Sequence, residues 1–507
     1  MMMLKALFTG LLAITAHAAP TSSTAKACDD IANALPQDRT PHRLSIQYTS
    51  EMLDYWSVAL RSQDPACMIL PRTADEVATV VRILNQYPDV HFAVKSGGHS
   101  PNLGHATAKD GVLISTAEMK GATYSAETGY AYVKPGGEWN DVIGDLEIQG
   151  VTVLGGRLGV VGVGGLLLQG GLSFLSAQHG MASDNIVEWE MVTANGTVRR
   201  VKASEEPELA VALRGSGSQF GIVTEFVVRA YPRPPIWGGM RTYTNKKKID
   251  EVLAAAYRFT AENKDDIKAA IIPATQHFAP GGPNGPELLV LYIFYDGPEP
   301  PRDGPLAKIL AIKPDTDSAK EQSYASFLKA NGALIALDQS RQQFRTFTLP
   351  YLPGVPDMSI QIQEKLSELL KPVLSNPLRL TARCGIGFQP LPAVIAAESK
   401  KRGGNAMGLD GDDLDRVVLE LVCSGWTLPG DDEVMADVTR SLVKWLEAKV
   451  AEWTGGGTSY YLPLFMNDAA WDQDVMGSYR GYEEFKALQE EADPEGFFSG
   501  RGGGFVY

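Results

Sequence analysis

The chain has 507 residues, 44% of them hydrophobic and 21% charged, with a formal net charge of −14. That composition is globular rather than disordered, and the length calls for two domains or slightly more. A negative chain with no basic stripe is a poor nucleic-acid binder, because phosphate recognition needs clustered Lys and Arg; a run such as Lys246-Lys247-Lys248 is short and carries no interleaved aromatics.

The N-terminus, MMMLKALFTGLLAITAHAAP, pairs Lys5 with an apolar run and a small-residue site at Ala16-His17-Ala18. It reads as a secretory signal peptide over 1–18, since the apolar run is too short to span a bilayer. A secretory route would let Cys28 and Cys67 pair; two buried thiols are the alternative. Whether Cys384 and Cys423 pair is left open. The sequon at Asn195-Gly196-Thr197 is a glycosylation candidate on the same route and otherwise a plain Asn-Gly turn.

Next, TADEVATVVRILNQ opens with a capping box, Thr73 with Glu76, and repeats Val77, Val80, Val81 and Leu84 at helical spacing. VHFAVKS follows as a strand and runs into SGGHSPNLGH. Short strands come after it: GVLIST, YAYVKPGG and VTVLGG. A glycine-dense stretch, GGRLGVVGVGGLLLQGGLSFLSAQHG, leads to a hairpin, IVEWEMVTANGTVRRV. PELAVALRGSGSQFGIVTEFVVRAYP then reads as helix, glycine loop and strand. From about 236 the strands lengthen, as in ELLVLYIFY and RVVLELVCSGW, and helices such as IDEVLAAAYRFTAEN separate them. The last segment holds YYLPLFMNDAAWDQ and a helix, YEEFKALQEEA, stopped by Asp493-Pro494.

The 51 glycines cluster in 96–171, where unhindered backbone can approach an anion. The Rossmann fingerprint is not met. GSGSQFG (215–221) is one residue too long and precedes a strand rather than a helix. No Walker A or G-x-S-x-G pattern occurs. No metal centre is expected either, because His99 has only His105 and Asp110 nearby as further ligands.

KSGGHS after a helix–strand pair resembles the flavin-attachment loop of FAD-linked oxidases with a vanillyl-alcohol-oxidase-type cofactor domain. The stretch GGRLGVVGVGGLLLQGGLSFLSAQHGMASDN, then LRGSGSQFGIVTEF, then FMNDAAWDQDVMGSYR, resemble in order the later motifs of the berberine bridge enzyme-like branch, in its fungal secondary-metabolism type. The resemblance implies an α+β fold: a two-part PCMH-type FAD-binding domain (19–235), an inserted α/β substrate domain on an antiparallel sheet (236–455), and a C-terminal segment (456–507) returning to the first.

It implies FAD bonded to His99. Ser96, Gly97, Gly98, Ser100 and Pro101 would form the pyrophosphate loop, and Gly162, Gly164, Gly165, Gly170 and Gly171 would run along the cofactor. Asp184, Asn185, Gly221 and Val223 would lie beside the adenosine half, and Asn467 beside the flavin ring. Relatives with a second covalent link have a cysteine where this chain has Leu158, so a single tether is expected. Leu166 replaces a histidine found in other relatives, and Val161 stands where the family is thought to admit oxygen.

The expected function is an oxidase that takes hydride from a small secondary-metabolite-like substrate and passes electrons to O2, giving H2O2. A carbohydrate oxidase and a redox-neutral isomerase or cyclase are the alternatives. Phe465 occupies the place of a tyrosine base in relatives, which leaves Tyr460, Tyr461 and Glu420 as candidates for the base, with His179 and His277 behind them. Glu420 shares a strand face with Val418 and Val422, and a carboxyl among apolar neighbours has a raised pKa. Small-molecule substrate and O2 are the expected partners, and secretion or the secretory lumen the expected location, with no membrane contact after signal cleavage.

Overall fold

A computed structural model describes residues 22–279, 281, 285–456 and 459–507; the segment 1–18, expected to be a signal peptide, lies outside them. The capped helix forms over Ala74–Leu84, with Thr73 Oγ1 accepting from the Glu76 amide at 3.2 Å. The reciprocal half of the box is absent. The Glu76 carboxylate instead accepts from the Arg72 amide at 2.6 Å and from Arg39 at 2.9 Å, so tertiary pairing takes the acceptor a local cap would use. This helix buries its valines against a three-stranded parallel sheet of Cys67–Ile69, Val112–Ser115 and Phe92–Lys95. Cys28 and Cys67 form a disulfide that fastens the N-terminal helix Ser22–Ala34 to the sheet's edge.

The hairpin expected at IVEWEMVTANGTVRRV is present as Ile186–Val192 paired with Val198–Lys202. Gly196 takes φ +77 in its turn, a conformation that favours glycine. The hairpin belongs to a five-stranded antiparallel sheet with Ala122–Ser125, Tyr130–Val133 and Ile222–Arg229.

The third and largest sheet has eight strands, all antiparallel. Glu287–Tyr295, Ala269–Phe278, Arg383–Leu391 and Arg416–Trp426 form its middle, and Arg341–Pro350 one edge. Alternation along Arg416–Trp426 divides its side chains. Val417, Leu419, Leu421 and Cys423 pack under the helices Lys246–Glu262, Met358–Leu374 and Asp432–Trp453, whereas Val418 joins the core shared with the glycine-rich segment. Each such fully buried aliphatic side chain contributes about 1.5–3 kcal/mol, so the helical layer holds the sheet firmly from behind. Cys384 and Cys423 are directly opposed on neighbouring strands and form the second disulfide.

The C-terminal segment packs back on the first sheet. Asp493 accepts from the amides of Phe497 and Phe498, and Arg501 donates to the carbonyls of Leu84, Tyr87 and Val90. Among the described residues no helix is long and apolar enough to cross a membrane. The exposed face of the large sheet, the glycine-rich segment and the C-terminal segment enclose one deep cleft.

Candidate functional site

The cleft offers about 1550 Å³ of open space, solvent at its mouth included. One end is built from the loop after the strand Phe92–Lys95. Gly98 there takes φ +62, and a Cβ would meet the Lys95 and Tyr55 side chains at 3.0 and 3.1 Å. Lys95 is fully buried beneath the loop, its ammonium bonded to Glu51 at 3.1 Å and Asp54 at 2.9 Å.

The loop touches the second glycine motif backbone to backbone. A Cβ on Gly97 would lie 2.5 Å from Gly162 Cα, and one on Gly162 2.5 Å from the Gly97 nitrogen. Ser96 locks the junction by donating to the Pro135 carbonyl and accepting from the Gly164 amide at 3.1 Å. Gly165 has nothing within 4 Å of its missing side chain and opens onto the cleft.

Ser96, Gly97, Gly98, His99, Ser100, Gly162, Gly164, Gly165, Gly221, Val223 and Asn467 all line the cleft. Among the described residues no acceptor pairs with the amides of Gly97, Gly98, His99 or Ser100. Free amides with no side chain in front of them are a donor set for an anion such as a pyrophosphate. The residues therefore fit the cofactor that the sequence implies.

Gly97→Ala is expected to force the two loops apart. Overpacking of this kind costs about 1–3 kcal/mol. The ratio of flavin to protein absorbance in the purified variant should fall several-fold; an unchanged ratio would contradict the contact.

Other expected contacts are placed differently. Pro101 is buried behind the loop and does not line the cleft. Gly170 and Gly171 take φ +104 and +73 and hold the chain's turn, their carbonyls accepting from Ser183 and Ala182. Asp184 and Asn185 are spent inside the protein. Asp184 accepts from the Met181 amide at 2.6 Å and Asn405 at 2.7 Å, and Asn185 donates to the Met181 carbonyl at 2.9 Å. They brace the glycine turn from behind instead of facing a ligand. Asn467 does both: it lines the cleft while accepting from the Gly171 amide at 3.0 Å.

The cleft also has charged lining, from Glu420, Arg157 and Asp468. Arg157 donates to Gln389, which in turn donates to Asp468 at 2.6 Å, so cation and carboxylate are joined through an amide. Glu420 is opposite Gly387 on the neighbouring strand, where a Cβ would sit 3.1 Å from its carboxylate. The missing side chain leaves the room the carboxyl occupies.

Burial pushes the Glu420 pKa up, the Asp468 charge adds to this, and Arg157 offsets part of it. Asp468 is raised for the same first reason. Two carboxyls in one poorly solvated space each disfavour the other's ionisation, which raises both and suits a group that can take and return a proton.

Of the three base candidates, only Glu420 is in the cleft. Tyr461 is a correction: its hydroxyl donates to the Met407 carbonyl at 2.7 Å and accepts from the Arg480 amide at 3.0 Å, with the Arg480 guanidinium 3.8 Å from its ring centre. A phenol bonded on both sides and capped by a cation is a structural post. Tyr460 does not line the cleft. His179 stacks on Tyr231, and His277 is hydrogen-bonded to Gln363 at 2.6 Å.

Arg157, Gln389 and Asp468 were not singled out from the sequence. Two of them carry a visible signal, as charges inside otherwise apolar or glycine-rich motifs, one before Leu158 and one after Asn467. Gln389 has none, because its partners are brought to it by the sheet. Leu158, Val161, Leu166 and Phe465 also line the cleft and make that part of its wall apolar. His105 packs edge-on against Phe505, and among the described residues no group of three or more His, Cys, Asp or Glu could hold a metal ion.

A family profile described as an FAD binding domain matches residues 65–202. An uncharacterized FAD-linked oxidoreductase of Arthroderma benhamiae is 34% identical over 484 residues, covering 91% of each chain. The FAD-dependent monooxygenase drtC of Aspergillus calidoustus is 30% identical over 94% of this chain and 89% of its own. Among solved structures, a variant of berberine bridge enzyme described as a reticuline dehydrogenase superposes with a TM-score of 0.67 at 16% identity, covering 90% of this chain and 94% of that one.

Proposed function

This chain belongs to the FAD-linked oxidoreductases, and on that footing we propose that it is an oxidase for a small, apolar, aromatic or polyketide-like metabolite, with Glu420 as general base and FAD tethered at His99 alone. The observation that carries the reading is the position of Glu420: a carboxyl with a raised pKa, in the same cleft that the free amides of the His99 loop line. Bound FAD supplies the hydride acceptor and, with O2 as the final oxidant, the source of H2O2.

The protein's own part divides along the cleft. The amides of Gly97 to Ser100 would hold the pyrophosphate, and the Ser96–Gly164 contact keeps their loop against the second motif. Val161, Leu158 and Leu166 exclude water from the reacting face and orient an apolar substrate. Glu420 takes a proton from the substrate's oxygen or nitrogen, and Arg157 and Asp468 set the potential in which that proton rests. The 19–235, 236–455 and 456–507 division follows the same logic, with Glu420 supplied by the middle part.

Burial also pushes the His99 imidazole down to about 4, so it is neutral at physiological pH and has a nitrogen lone pair free to form a bond. Leu158→Cys would place a thiol on the cleft wall, and a second attachment would appear as a further shift of the flavin spectrum. An unchanged spectrum and mass would argue against Leu158 as the second-tether position. The apolar wall disfavours a carbohydrate substrate, which needs many polar contacts.

Both disulfides pair all four cysteines, which suits an oxidising compartment and supports secretion or the secretory lumen. Asn195 is exposed in its turn and open to glycosylation.

Anaerobic mixing of the holoenzyme with candidate metabolites tests the reaction class. Bleaching of the oxidised flavin band at the turnover rate, with peroxide formed when air is admitted, is the expected result. Product formed while the flavin stays oxidised would assign a redox-neutral reaction. Oxygen from isotopically labelled O2 appearing in the product would assign a monooxygenase.

A further inference from the structure

The His99 imidazole is not free to turn. The Trp56 indole lies against it with ring centres 4.4 Å apart and planes 11° from parallel. Behind the indole, Phe344 packs at 4.9 Å, and Phe344 itself lines the cleft. The main chain fixes Trp56 on both sides. Its amide donates to the Gly98 carbonyl at 3.2 Å, within the same loop that carries His99. The next residues are tied to the edge strand Arg341–Pro350, through Val58 to the Ser340 carbonyl at 3.1 Å and Gln342 to Ser57 Oγ at 3.1 Å.

The Trp56 Nε1 group is buried and has no hydrogen-bond partner. A buried tryptophan ordinarily uses that N–H, and leaving it unpaired is unfavourable. What sets this indole apart is that its ring face lies on the His99 imidazole.

We propose that Trp56 is the positioning residue for the covalent bond at His99, holding the imidazole in one plane with a ring nitrogen presented to the cleft. The inference rests on the tethered-FAD reading and goes beyond it by naming what makes the tether form. Bond formation joins an imidazole nitrogen to the 8α carbon of the flavin. One N–H and one C–H bond break, and the two hydrogens and their electrons leave to O2 as H2O2. The event needs one nitrogen close to one carbon in a single orientation, and an imidazole rotating about its side-chain bonds would seldom meet it. Burial, which keeps His99 unprotonated, supplies the nucleophilic form, and the stacked indole supplies the direction.

The test is the covalent fraction of flavin in the full chain expressed with its own FAD, for wild type, Trp56→Phe and Trp56→Leu. The protein is acid-precipitated, and flavin is measured in pellet and supernatant, with intact mass reporting the bonded species and thermal melting reporting the fold. Wild type should keep its flavin in the pellet. Trp56→Phe, which retains a stacking ring, should stay within about two-fold of it. Trp56→Leu should lose ten-fold or more of the covalent fraction while still binding FAD that acid releases.

A Trp56→Leu pellet as coloured as wild type overturns the inference, and so does an equal loss in Phe and Leu variants, which would trace to packing alone. A colourless wild-type pellet overturns the tether at His99 and this inference with it. A coloured wild-type pellet beside a coloured Trp56→Leu pellet overturns the role of Trp56 and leaves the tether standing.

Discussion

Glu420→Gln is expected to lower kcat by about 10²–10⁴-fold, the range a positioned general base contributes, while the purified protein stays yellow. The carboxamide has the size of the carboxyl it replaces, so the contact over Gly387 is kept and the sheet is undisturbed. It cannot accept the proton. Substrate affinity should change little, because the loss falls on the transition state rather than on the bound complex.

The pH profile gives a second reading of the same residue. The Glu420 pKa is pushed up to about 8, and a base works in its ionised form. Wild-type kcat should therefore rise with pH through the neutral range, close to ten-fold per unit well below the midpoint, and level off on the alkaline side. Glu420→Gln should lose that slope. A variant with wild-type kcat and the same profile would move the base elsewhere, with Asp468→Asn the next substitution to measure.

His99→Ala should transfer all of the flavin from the acid-precipitated pellet to the supernatant. Under native conditions the variant should still bind FAD, because the amides of Gly97, Gly98 and Ser100 and the Ser96–Gly164 contact remain. Dialysis would then strip it progressively, whereas the wild type would keep its colour through the same treatment. Free flavin in the wild-type supernatant would be the contrary result. The outcome would separate two proposed contributions of the loop, affinity from its backbone and permanent attachment from one side chain.

The residues of the cleft are unequally legible in the sequence. The glycine loops are local motifs: SGGHS and GVGG contain their own turn residues, although the need for glycine at Gly97 and Gly162 comes from their contact with each other. The strand pattern also reached Glu420, since alternation along RVVLELVCSGW already sets it on the face opposite Leu419 and Leu421.

Tyr461 shows the limit of such reasoning. Its nearness to the Asn467 motif made it a candidate for the base, but partners more than fifty residues away, at Met407, and nineteen away, at Arg480, fix its hydroxyl. Asp184 and Asn185 belong to the same class. Their motif is real, yet their side chains brace the glycine turn through Asn405 and Met181 and do not face the cleft.

The sequence alone therefore determined what depends on neighbouring residues: the α+β class, the glycine-rich loops with His99 among them, the apolar residues Leu158 and Leu166, and the face on which Glu420 sits. The tertiary structure decided what depends on distance in space. It set Glu420 in the cleft and the two tyrosines outside its lining, joined Arg157 to Asp468 through Gln389, paired both sets of cysteines, and laid Trp56 against His99. The physical reason is that backbone conformation and side-chain alternation are short-range properties. Desolvation, shared protons and ring stacking arise only between groups that folding brings together from far apart in the chain.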